Sequence, residues 1–105
     1  MKEKITIKLK SKDTSNLDEW GNPIVSYTTK EVYALVRYIT EEDFNLINSG
    51  IAKVGDIEVV LDSDYNISTD DIITYNGVDY LVKTIMHLSN TYMPVWIYRC
   101  SRVRG

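Results

Sequence analysis

His87 and Cys100, the chain's only histidine and only cysteine, are the side chains best suited to metal or nucleophilic chemistry. No cysteine lies near His87 in sequence, so a zinc site would lack the soft donors it needs. Spacing alone leaves a Cys–His nucleophilic pair open. However, Cys100 falls inside a predicted strand beside Tyr98 and Arg99, away from a helix N-terminus that would stabilise a thiolate. A small buried or half-buried thiol is the preferred reading. Asp62-Ser63-Asp64-Tyr65-Asn66 imitates the start of a calcium loop, with alternate oxygen side chains able to converge on one hard cation. The rest of that motif fails: Ile67 stands where the sharp turn wants glycine, and Ile73 where a bidentate glutamate belongs. Glu41, Glu42, Asp43, Asp70 and Asp71 supply carboxylates, but nothing fixes two of them across a cleft as a hydrolase requires. The five glycines show neither phosphate-loop spacing, GxGxxG or GxxxxGK. The expectation is a protein without catalysis, cofactor or metal.

The elements that carry these residues are mostly strands. Ile5, Ile7 and Leu9 alternate with Lys4, Thr6, Lys8 and Lys10, the period-2 pattern of a half-buried strand with a lysine-rich outer face. Such lysines also discourage edge-to-edge aggregation. Residues 11–23 are rich in Ser, Asp and Asn and end in Trp20-Gly21-Asn22-Pro23, which is turn chemistry. Extended chain resumes over Ile24–Thr29 and Glu31–Ile39. In the second segment Val32, Ala34, Val36 and Tyr38 share one face and Tyr33, Leu35, Arg37 and Ile39 the other, which predicts a central strand. One helix of about ten residues is predicted from Thr40, a good N-cap, with Asp43 reaching back to it and Gly50 as the stop. A helix that short needs packing to be stable.

Further along, Ile57–Leu61 is a β-branched run and Asp62–Asp71 a polar loop. Asn76-Gly77 between Ile72–Tyr75 and Val78–Met86 predicts a two-residue type I′ hairpin, because both turn positions require positive φ. Val95–Val103 reads as a last strand. The expected fold is mainly β: a small barrel or sandwich of six to seven strands with one short helix in an inserted loop, forming a single domain over residues 1–105.

Composition agrees with a folded domain: 44% of residues are hydrophobic and 26% charged, neither the low hydrophobicity nor the extreme charge of disorder. A single cysteine forbids an intrachain disulfide and suits a reducing compartment. The opening residues lack the apolar run of a signal or membrane segment, so a soluble cytoplasmic protein is expected. Net charge is −3 but unevenly spread. Residues 1–12 and 99–105 together carry +7, and residues 13–98 carry −10. Contacts between the ends of one subunit and the middle of another would be favoured. The same asymmetry arises if the terminal strands face the acidic part of their own fold, the preferred account. A nucleic-acid-binding barrel is the alternative from another class, since both termini are basic and Tyr27, Tyr33, Tyr92, Trp96 and Tyr98 could stack on bases. Against it stand a pI near 5.0 and the acidic middle.

Several stretches, in order, resemble the tailed-phage head closure family, also described as head-tail joining or adaptor proteins. They are Asp18-Glu19-Trp20-Gly21-Asn22-Pro23, Val32-Tyr33-Ala34-Leu35-Val36-Arg37 and Glu41-Glu42-Asp43-Phe44. The turn from Gly50 to Asp56 and the run from Asp70 through Asn76-Gly77 to Val82 complete the likeness, which extends from about Asp18 to Arg102. No single motif is diagnostic; the order and spacing carry the resemblance. It implies a subunit that forms a ring beneath the portal complex, joins head to tail and helps retain packaged DNA. The implied partners are other copies of the chain, portal or adaptor proteins and tail proteins. DNA would pass through the channel without sequence-specific binding, and an acidic lumen would repel its backbone. The implied location is the virion's head–tail interface, with host cytoplasm before assembly. Minor tail and tail-completion proteins share small β folds and are a related alternative. Trp20, Glu41, Glu42, Asp43, Phe44, Ile47, Ile51, Asp62, Asp64 and Tyr65 are the candidate assembly contacts, each equally compatible with an ordinary surface loop.

Overall fold

Alternation in the first strand orders the molecule. In a computed structural model that describes residues 1–10, 19–21, 26–50, 52–89 and 93–103, strand β1 spans Glu3–Lys10, with Ile5 and Ile7 buried and Lys4 and Lys10 exposed. It pairs antiparallel with β2, Tyr27–Tyr38, from Glu3 opposite Ala34 to Lys10 opposite Tyr27. The two extended segments expected here are therefore one strand over the described residues; Ile24 and Val25 lie outside them. After β2 come α1 (Phe44–Asn48), β3 (Ile57–Leu61), β4 (Ile72–Tyr75), β5 (Val78–Leu88) and β6 (Val95–Arg102).

These strands close into an antiparallel barrel in the order β1-β2-β3-β6-β5-β4. Closure comes from β1 on β4, where Thr6, Ile7 and Lys8 face Thr74, Ile73 and Ile72. β1 is thus not a sheet edge, and its Lys4 and Lys8 pair with Glu31 of β2 and Asp79 of β5. A six-stranded barrel is narrow enough for side chains to fill. Ile5 and Ile7 of β1, Val59 and Leu61 of β3, Ile73 of β4 and Tyr98 of β6 are each almost wholly buried there. Ile67, from the loop after β3, joins the same core.

The β4–β5 hairpin forms as its sequence predicts: Asn76 has φ 51° and Gly77 φ 75°, the two positive values of a type I′ turn. The helix departs from expectation. It has five residues and starts at Phe44, not Thr40. The Asp43 carboxylate accepts the Thr40 backbone N–H at 2.8 Å, as a capping box predicts, but the Asp43 N–H donates to the Thr40 carbonyl at 3.0 Å. Residues 40–43 therefore make a tight turn of their own before the helix. Ile39 also departs: instead of sharing the outer face of β2 it is buried past the strand end, bonded through its N–H to the Asp56 carbonyl. Among the described residues no helix is long and apolar enough to cross a membrane.

Candidate assembly surfaces

Between β2 and β3 the chain builds one end of the barrel. Arg37, on the outer face of β2, donates to Asp43 at 2.7 Å, and Asp43 in turn holds Thr40. The Thr40 N–H, with Arg37 second, keeps the Asp43 carboxyl below the usual aspartate range. Asp43 is thus a fastener of this connection rather than a free surface acid. Its neighbours Glu41 and Glu42 are exposed, and Phe44 is 67% exposed. Glu41 and Glu42 line an open hollow of about 560 Å³ together with Tyr38, Ile39, Val54 and Gly55. Ile47 is half-buried, and Ile51 lies outside the described residues. The structure therefore gathers Glu41, Glu42 and Phe44 at one end.

The other predicted contacts sit where β3 leaves the barrel at Leu61, the opposite end of that strand from Ile57 and the helix connection. Asp62 is bridged to Lys2 at 2.9 Å, which holds its carboxyl low. Asp64 accepts the Asn66 N–H at 2.8 Å, closing a local turn around Asn66, whose φ is 58°. Tyr65 packs against the core, with the Lys30 ammonium 4.9 Å from its ring centroid. The loop acids are in large part structural. Trp20 is 79% exposed, while most of the loop predicted over residues 11–23 lies outside the described residues.

Among the described residues, four of the six cations near the two ends find carboxylates within their own chain. Lys4 meets Glu31 at 2.8 Å, Lys8 meets Asp79 at 3.4 Å and Arg99 meets Glu58 at 3.3 Å, besides Lys2 with Asp62. Asp79 also accepts from the Thr74 hydroxyl at 2.6 Å, and that bond is the main reason its carboxyl is held below the ordinary range. The ends-to-middle asymmetry is in large part satisfied inside one subunit.

Two exposed apolar surfaces lie outside the candidate assembly contacts. On β2, Tyr33 and Leu35 are 63% and 44% exposed. On β5, every residue from Lys83 to Leu88 is exposed, including Ile85, Met86 and Leu88. A bulge between Val82 and Thr84 marks where β5 leaves the closed barrel. The readable signal was the sequence Ile85-Met86-His87-Leu88, apolar on both faces of a strand end, with no acidic residue after Asp79.

Cys100 and His87 are each held by structural contacts. Cys100 is buried, its thiol pushed up to about 12 by burial and, secondarily, by Asp56. His87 stacks on Trp96 with ring centroids 4.4 Å apart, and its Nδ1 lies 3.2 Å from the Val95 carbonyl. Among the described residues no three His, Cys, Asp or Glu side chains converge as metal ligands.

No family model and no curated protein matches the chain. Among solved structures, the chain is similar to the solution structure of protein SF1141 from Shigella flexneri 2a. The two share 16% identity with a TM-score of 0.69, over 95% of this chain and 90% of that one. At that identity the likeness concerns the fold.

Proposed function

We propose that the protein is a structural assembly subunit, a head closure or head-tail connector that forms a ring between the portal complex and the tail of a phage particle. The observation that carries this reading is exposed apolar surface at separate places on a barrel whose core is already full. Phe44 and Val54 stand at the helix end, Tyr33 and Leu35 on β2, and Met86 and Leu88 on β5. Apolar side chains left in water at these places fit contact with partners, which would cover them. The order of motifs from Asp18 to Arg102 supports the choice of partner. The test is light scattering on the purified protein, alone and with its virus's assembled portal complex. Co-migration at fixed stoichiometry is expected; absence of binding sinks the reading. In such a ring, acids not bonded to a cation, Glu41 and Glu42 among them, would line the channel and repel DNA. Replacing both by Lys is expected to slow DNA ejection, and unchanged retention and ejection would argue against an acidic lumen.

A second reading has one specific observation behind it. On the outer face of β1 and β2, Lys4 lies opposite Tyr33 and Lys10 opposite Tyr27, the mixture of cations and aromatics that holds single strands. Against it, Lys4 and Lys8 already hold carboxylates, and Tyr98 is buried while Trp96 is half-buried beneath His87. A salt-sensitive mobility shift of labelled single-stranded DNA, without portal binding, would favour this reading.

A further inference from the structure

Lys2, Lys4, Lys8, Arg37 and Arg99 each form an ion pair within the chain, and Lys30 lies over the Tyr65 ring. Lys10, Lys53, Lys83 and Arg102 form no ion pair among the described residues. The last three of these line one hollow of about 370 Å³. They come from distant parts of the sequence, and the barrel gathers them. Lys53 lies in the turn before β3, Lys83 on β5 and Arg102 at the end of β6, and these strands stand side by side in the order β3-β6-β5.

The backbone that carries each cation is fixed. The Asp56 carboxylate accepts the Lys53 N–H at 2.9 Å, and the Asp56 N–H donates to the Lys53 carbonyl at 3.0 Å, closing the turn at residues 53–56. The Gly55 N–H ties that turn to the Ile39 carbonyl at 3.1 Å. On β5, Val82 faces Cys100 and Thr84 faces Arg99, so Lys83 is the extra residue of the bulge. Bulges re-aim side chains, and this one leaves Lys83 on the wall of the hollow. Arg102 lies opposite Tyr80 where β6 ends. Asp56, 8% exposed, is the one carboxylate lining the hollow among the described residues, and it also accepts the Ser101 hydroxyl at 3.3 Å.

Three cations against one carboxylate leave a surplus of two positive charges around this concavity. Like charges gathered in this way repel one another, and a concave surface of one sign concentrates ions of the other. We propose that the hollow between the 53–56 turn, the β5 bulge and the end of β6 binds a dianionic phosphate group. Such a group carries about −1.5 to −2 charge near neutral pH and three acceptor oxygens. It matches the surplus and offers an oxygen to each of three cations on three segments, where a carboxylate has two oxygens and one charge. Arg102 supplies a planar fork of donors, and the two lysines supply point charges. A small phosphomonoester and the terminal phosphate of a nucleic-acid strand present the same group, and the test separates them. This site does not depend on the assembly reading.

The test is a titration of the isotopically labelled full chain with inorganic phosphate at constant ionic strength, read by the chemical shifts of backbone amides. Saturable shifts are expected at residues 53–56, 83, 101 and 102, with acetate bound at least about tenfold more weakly. Lys83→Gln and Arg102→Gln change exposed positions, and each is expected to weaken phosphate about tenfold, with amides elsewhere unmoved. Lys10→Gln is expected to change nothing. Arg102→Lys keeps the charge without the fork, and its affinity should fall between those of wild type and Arg102→Gln. Methyl phosphate and a short 5′-phosphorylated oligonucleotide then compete: whichever binds more tightly at these amides names the source, and either supports the site. Shifts that do not saturate, that acetate reproduces, or that survive Lys83→Gln and Arg102→Gln together overturn it. An oligonucleotide without a terminal phosphate that moves the same amides as strongly also overturns it, in favour of a track for the nucleic-acid backbone.

Discussion

Asp71 shows how the acids of this chain do structural work. It is buried, and its two oxygens accept the Lys10 and Ser68 backbone N–H groups at 2.8 Å each, tying the end of β1 to the loop before β4. Asp71→Ala leaves both donors without that acceptor, and a cost of about 3 kcal/mol is expected in urea unfolding. Asp71→Asn keeps one acceptor and is expected to cost less. Asp43, Asp62 and Asp79 share a different property: each carboxyl is held below the ordinary value of 3.8 in the folded chain. A depressed folded value favours the ionised form, so the stability they add is complete above the unfolded value and drains away as pH falls through the folded one. The fall in urea midpoint between about pH 6 and about pH 3 is expected to be smaller in Asp79→Asn than in wild type; equal falls would remove Asp79 from that account. Cys100 moves the opposite way. With its thiol pushed up to about 12, the thiolate fraction near pH 8 is about one in ten thousand. Labelling by a disulfide reagent should therefore follow unfolding, with urea accelerating it in step with the loss of structure.

Elements were legible where local chemistry decides the backbone. Asn76-Gly77 specifies its hairpin because few other residues accept two positive φ values in succession. Gly77→Val is accordingly expected to destabilise by about 1–2 kcal/mol, although the space around its Cβ is open; an unchanged thermal midpoint would contradict the strain account. Ile5 and Ile7 were equally readable, since period-2 alternation puts them inside any half-buried strand. The helix boundary was not, because Thr40 and Asp43 satisfy the same capping bond in a turn as in a helix. Nor was the exposure of β5. Val82 and Ile85 are both apolar, yet Val82 is buried in the closed barrel and Ile85 stands past the bulge with 39% of its surface exposed. Which of two apolar residues gets covered depends on where β4 ends, a tertiary fact. Of the candidate contacts, Phe44, Glu41 and Glu42 are exposed. Asp43, Asp62 and Asp64 did not remain simple surface acids, because hydrogen-bond partners from other positions occupy them.

At the scale of the whole molecule, closure is the costly step. β4 and β5 meet across a two-residue turn, and β5 and β6 are neighbours in the chain, so both pairings can form early. β1 must find β4 across more than sixty residues, as Ile7 does Ile73, and the entropy of that loop is spent before any contact repays it. Refolding on the millisecond-to-second scale is therefore expected in stopped-flow measurements, as for other β proteins dominated by non-local pairing. The split between early and late pairing makes a sharper forecast. Ile7→Ala removes a fully buried side chain and is expected to cost about 3 kcal/mol. If β1 docks after the transition state, most of that loss appears as faster unfolding, with the folding rate little changed. Gly77→Val strains a turn formed early, so its smaller loss should appear mainly as slower folding. The reverse assignment, Ile7→Ala slowing folding by nearly its full equilibrium effect, would mean that the β1–β4 seam is part of the folding nucleus. Closure of the barrel would then precede its local hairpins.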